Sequence, residues 1–161
     1  MSHTRVTHDS FTIERSYRAA PERVFKAWAD PAQKRRWFAE GEGWHIDSFD
    51  ADFRVGGYER TRMRSVNGPI HPGTTSSMMG NDTFHHDIVD NRRIVSSYAM
   101  SIGEQRISVS LSTVEIEPAG TGTTLRYTEQ AAFLEGGDGT EMRRRGWTQL
   151  LESLAKHLDA I

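Results

Sequence analysis

The chain has 161 residues, with 20 Lys and Arg against 22 Asp and Glu, a formal net charge of -2. That length suits one domain with a real core, expected to span residues 1–161, and the balanced charge lacks the basic excess of a phosphate-backbone binder, so nucleic acid is not an expected partner. The absence of cysteine removes disulfides, thiolate metal sites and cysteine nucleophiles together, and suits a reducing, cytoplasmic compartment.

Residues 1–17 hold no apolar run of signal-peptide length, and no stretch approaches the roughly 20 apolar residues that span a bilayer, so no membrane insertion is expected. Phe11, Ile13, Arg15 and Tyr17 alternate with polar residues, as on a first strand with one buried face. Pro21 then opens a helix with Val24, Phe25 and Trp28 on one side, and Glu22 complements its N-terminal dipole. Asp30 and Pro31 cap and start a second short helix, which carries Trp37 and Phe38 and stops at Gly41 and Gly43.

Six further strands follow, within residues 43–53, 56–65, 82–89, 92–100, 106–117 and 123–133, with turns at Asp90-Asn91 and at 118–123. About seven strands in succession, joined by short turns, predict an α+β protein built on a mostly antiparallel meander. Residues 66–81, rich in Gly, Pro and Ser, read as a mobile loop, with Met78 and Met79 suited to a lid. The last element is a long amphipathic helix from about residue 140 to 160, in which Trp147, Leu150, Leu151, Leu154, Leu158 and Ile161 keep helical spacing. Arg143, Arg144, Arg145, Glu152 and Lys156 are assigned to its other face, and Gly146 inside it marks a bend or a close approach.

Residues 58–65 set Tyr58, Arg60, Arg62 and Arg64 against Glu59, Thr61, Met63 and Ser65 in strict alternation. With a long helix over one face of the sheet, the arginine row reads as the solvated face, and Glu59 points inward beside Thr61 and Met63. The same alternation puts Leu125, Tyr127 and Glu129 on the inner face of the last strand. Two inward carboxylates in an apolar cup are costly unless paired or hydrogen-bonded. They are open to three readings: contact with the polar end of a ligand, general acid–base work, or bonding to Arg, Tyr or backbone near a cavity mouth.

Other chemistries find less support. His85 and His86 are adjacent on a strand and face opposite sides, and His3, His8, His45, His71 and His157 show no ligand spacing, so no metal is expected. No G-x-S-x-G elbow occurs, and neither glycine-containing stretch, 52–57 or 135–140, matches a phosphate-binding loop. Gly56 and Gly57 read instead as the site of a bulge or sharp bend in the sheet.

Five segments in order, 15–38, 52–59, 86–100, 113–134 and 146–158, resemble the activator of Hsp90 ATPase homologue 1-like (AHSA1-like) branch of the START-like, or SRPBCC, superfamily. The resemblance implies the helix-grip fold: a curved antiparallel sheet around a long C-terminal helix, two short helices after the first strand, and a cavity between sheet and helix. It implies binding of a small apolar or aromatic molecule, lipid- or polyketide-like, without metal or organic cofactor. Trp44, Glu59, Thr61, Met63, Phe84, Tyr98, Tyr127, Glu129, Phe133, Trp147 and Leu151 are the expected ligand contacts. One alternative is a cyclase-, aromatase- or hydrolase-type enzyme using Glu59 or Glu129 as acid or base. Another is an Hsp90-associated interaction module, against which the missing companion domain of the co-chaperone counts. A homodimer through a strand edge or the loop stays open.

Overall fold

The computed structural model describes residues 5–71 and 73–161. Seven strands, β1 (Thr7–Tyr17), β2 (Trp44–Asp52), β3 (Tyr58–Ser65), β4 (Met78–Val89), β5 (Arg93–Ile102), β6 (Gln105–Ala119) and β7 (Gly122–Phe133), form one sheet in the order β1-β7-β6-β5-β4-β3-β2. Every neighbouring pair is antiparallel. β2 to β7 are a plain meander, as the short turns require; β1 joins the far edge beside β7. The segment between β1 and β2 must therefore cross the whole sheet, and it does so with helices α1 (Pro21–Ala29) and α2 (Pro31–Lys34).

Local chemistry explains these boundaries. Pro21 starts α1, and the Asp30 carboxylate accepts from the Ala32 amide at 3.1 Å to start α2, as the sequence predicts. Beyond Lys34 the helix widens into a π-helical turn, Arg35–Ala39, closed by Glu40 N to Arg35 O at 3.0 Å. This turn carries Trp37, whose indole N–H donates to Ala27 O at 2.8 Å and locks it against α1. The expected bend at the glycine pair is the β2–β3 turn. A Cβ on Gly57 would lie 2.1 Å from Asp52 O, so only glycine fits there. Asn91, with φ of 64°, makes the β4–β5 turn expected at that position.

The inner face of the sheet closes on α3 (Thr140–Ala160). Ile94, Val114, Ile116, Leu125 and Tyr127 meet Trp147, Leu151, Leu154 and Leu158, with Val24 and Trp28 of α1 sealing one end. Arg23 donates to Leu158 O at 2.7 Å, satisfying a carbonyl that the end of α3 leaves without an intrahelical partner. Ile161 lies beyond α3 and is exposed, so the apolar stripe ends at Leu158. Among the described residues no helix is long and apolar enough to cross a membrane.

The arginine row is on the outer face, as expected, and acidic neighbours answer it. Arg62 pairs with Asp82 at 2.9 Å, Arg64 with Asp47 at 2.9 Å, and Arg60 stacks over the Tyr58 ring at 5.2 Å. Exposed pairs of this kind contribute at most about 1 kcal/mol each, and their consequence is a neutralised surface.

Three expectations need correction. Met78 and Met79 belong to β4 and not to a loop; Met78 is exposed and Met79 faces the cavity. Gly146 marks no close approach, since a Cβ there would meet nothing within 4 Å and α3 runs through it. Arg143, expected on the solvated side of the last helix, is buried, one helical turn before Trp147.

Candidate ligand-binding cavity

Between the inner face of the sheet and α3 lies a cavity of about 460 Å³. Trp28 walls it from α1, Trp37 and Phe38 from the π-helical turn, Trp147 and Leu150 from α3, and Met63, Ile94, Met100, Ile102 and Val114 from the sheet. Alternation along β4 sends Met79, Asn81, Thr83 and His85 inward. Of the loop residues, Ile70 reaches the cavity, and the His71 ring lies 3.1 Å from Gly136 O, tying the loop to the turn before α3.

Two buried charge pairs stand in the walls. In the first, the Lys34 ammonium lies 3.0 and 3.2 Å from the two oxygens of Glu59, with the side chains 9% and 7% exposed. Lys34 also lies over Phe38, Trp28 and Trp37, at 4.5, 5.1 and 5.5 Å from the ring centroids. The electron-rich ring faces thus complete a solvation shell that water would otherwise supply. Their consequence is a rigid cation in an apolar wall.

The second pair is a closed network. Arg143 donates to Glu129 at 2.8 Å, to Ser108 at 2.7 Å, and through a two-pronged contact to Asp138 at 2.8 Å on each prong. Glu129 also accepts from Tyr127 at 2.7 Å, Ser110 at 2.7 Å and Tyr98 at 2.8 Å. Burial, then the Glu129 charge, pushes the Tyr98 phenol well up; burial, then Tyr98 and Glu129, does the same for Tyr127. Both phenols therefore stay protonated and can donate. Burial alone would lower the Arg143 guanidinium, but Tyr98, Asp138 and Glu129 more than offset this and hold it up. Tyr98, Asp138, Arg143 and Trp147 face the cavity, whereas Glu129 lies behind them.

His85 is buried, with Nδ1 2.8 Å from Ser96 Oγ and its ring edge-on to Phe53. Burial first, then the Lys34 charge, lowers its pKa from 6.5, opposed by Glu59. A depressed folded value means its contribution to stability is full above 6.5 and is lost as pH falls from there through the folded value. His157, half-exposed and also lowered by burial, adds to the same slope. We therefore expect His85→Gln to flatten part of the loss of stability below pH 6.5, measured by urea unfolding across pH. An unchanged slope would show that His85 titrates normally.

Of the expected contacts, Trp44, Glu59, Met63, Tyr98 and Trp147 line the cavity. Tyr127, Leu151, Phe133, Thr61 and Glu129 are buried on the inner side but lie outside the lining, as packing and support. Tyr127 stacks on Trp147 at 4.0 Å, and Arg143 lies over Phe133 at 5.2 Å. Phe84 is a correction: it is 47% exposed on the outer face, opposite Tyr58 and Ser97. A bulge between His85 and Asp87 resets the strand's phase, so counting back by twos from inward Ile88 wrongly turns Phe84 inside. Sequence reasoning missed Lys34 and Arg143 as cavity residues, although Arg143 continues the spacing of Trp147, Leu151, Leu154 and Leu158. His3 lies outside the described residues, among which no cluster of three metal-ligating side chains occurs.

A curved antiparallel sheet gripping a C-terminal helix, with two short helices after β1 and a cavity between the layers, defines a helix-grip protein of the START-like class. The chain belongs to the family described as Activator of Hsp90 ATPase homolog 1-like protein, whose model matches residues 18–159. It is similar to the Mll3558 protein from Rhizobium loti, at 46% identity over 95% of this chain and 99% of that one, with a TM-score of 0.83. An uncharacterised protein from Rhizobium leguminosarum is 36% identical over 99% and 100% of the two chains, with a TM-score of 0.89. An AHSA1-like protein from Aeromonas hydrophila shares the fold at 21% identity, covering 94% and 93% of the chains, with a TM-score of 0.69. No curated protein matches the chain.

Proposed function

We propose that this protein binds a small, largely apolar or aromatic molecule in the cavity between its sheet and α3. The observation that carries this reading is the 460 Å³ space, walled by tryptophans and phenylalanine on the helical side and by methionine and aliphatic side chains on the sheet. Ligand sites of small molecules occupy roughly 300–1,000 Å³ and have this mixture of apolar wall and few polar groups. An acid–base role has less support, because the oxygens of Glu129 are occupied by protein donors behind the lining and Glu59 is held by Lys34.

The test is to fill the space. Thr83 stands between Glu59 and Tyr98 across β3, β4 and β5 and faces the cavity. N-phenyl-1-naphthylamine, an uncharged aromatic dye, should bind the wild-type protein saturably, with enhanced fluorescence. Thr83→Phe should weaken that binding at least about tenfold while costing no more than about 1–3 kcal/mol of stability, since the ring enters open space. Equal dye affinity in a folded Thr83→Phe protein would place binding elsewhere.

A further inference from the structure

We infer that the cavity selects an uncharged ligand with hydrogen-bonding groups and discriminates against carboxylates, so that a fatty acid or aromatic acid is the wrong class of occupant. This rests on the binding reading above and adds the ligand's charge to it.

Every charged side chain in the lining is either paired or exposed. Lys34 is consumed by Glu59 at 3.0 Å, and Arg143 by Glu129 and Asp138 at 2.8 Å. His85 is held toward its neutral form by burial and by the Lys34 charge. The two charges that remain, Arg145 and Glu42, are exposed and of opposite sign. A carboxylate leaving water for this cavity finds no buried cation to compensate it, unless it breaks a pair and strands Glu59 or Asp138.

The polar groups on the sheet side are neutral. Asn81, Thr83, Ser96 and Ser112 line the cavity from β4, β5 and β6; Ser96 Oγ is paired with His85 and Ser112 Oγ donates to Ser96 O, whereas Asn81 Oδ1 is buried without a hydrogen-bond partner among the described residues. Such groups recognise hydroxyl, carbonyl and amide functions. The Asn81 oxygen in particular asks for a donor, which an ionised carboxylate group cannot supply.

Displacement of N-phenyl-1-naphthylamine tests this with two matched pairs of probes. These are 6-hydroxy-2-naphthamide against 6-hydroxy-2-naphthoic acid, and 1-dodecanol against dodecanoic acid, at about pH 8 where both acids are ionised. The neutral member of each pair should displace the dye at least about tenfold more effectively, because the acid alone carries an uncompensated charge into the wall. Glu59→Gln, which releases the Lys34 charge, should narrow or reverse that gap. Acids that compete as well as their neutral partners, or dye binding that none of the four displaces, would overturn this inference and leave the cavity as a binding site. Failure of the dye itself to bind would remove the binding reading and this inference with it. Comparison within the wild-type protein needs no variant to fold.

Discussion

Arg143→Met is expected to destabilise the protein by about 3–5 kcal/mol and to lower Tm by roughly 6–20 °C, one of the largest effects of any single substitution. The side chains of Arg143 and Glu129 are 5% and 0% exposed, so water cannot take over when the guanidinium goes. What is lost is less the attraction of the pair than its protection of what remains: Glu129 keeps its hydroxyl donors but loses its cation, and Asp138 loses both prongs of its contact. Replacing a whole buried ionic group by apolar side chains is far milder than removing one partner. The triple change Arg143→Met, Glu129→Gln, Asp138→Asn should therefore recover a large part of the loss. Urea unfolding followed by circular dichroism measures both, and a cost below about 1 kcal/mol for Arg143→Met alone would show that the network adds little.

Lys34→Met is the second large effect, expected to cost about 3 kcal/mol or more by leaving Glu59 buried without its cation. Methionine keeps most of the packing of the lysine stem against Trp28, Trp37 and Phe38, so the loss isolates the charge and its aromatic contacts. Lys34→Met with Glu59→Leu should be markedly more stable than Lys34→Met alone. If the double variant is no better, the lysine acts through packing of the short helices and the ion pair is incidental. Glu59→Leu alone gives the third corner of this cycle.

Most of the architecture was legible because it rests on period and punctuation. Strand alternation in residues 58–65 and 122–133 turned Glu59 and Glu129 inward, and Pro21, Asp30 and Pro31 marked the helix starts. The resemblance to the Hsp90-activator-like family supplied the cavity, which no local pattern reveals. The misses have local causes. One extra residue at the His85–Asp87 bulge turned Phe84 outward, and the π-helical turn at Arg35–Ala39 hid the relation between Lys34 and the rings around it. Arg143 was read by its charge and not by its position in the stripe. A buried arginine becomes plausible only once Asp138, from the turn, and Glu129, from β7, are known to converge on it. That convergence is tertiary and has no trace in a sequence window.

The place of β1 beside β7 bears on how the chain reaches this state. Strands β2 to β6 find their partners within a few turns of sequence, but Phe11 pairs with Glu129 and Tyr17 with Thr123, contacts that close loops of over a hundred residues. During synthesis the first strand waits, unpaired, until the last strand has emerged, and the inner face of the meander waits longer still for α3. Folding is thus deferred until residues 140–160 have emerged, and a chain lacking them presents an uncovered apolar sheet to whatever it meets.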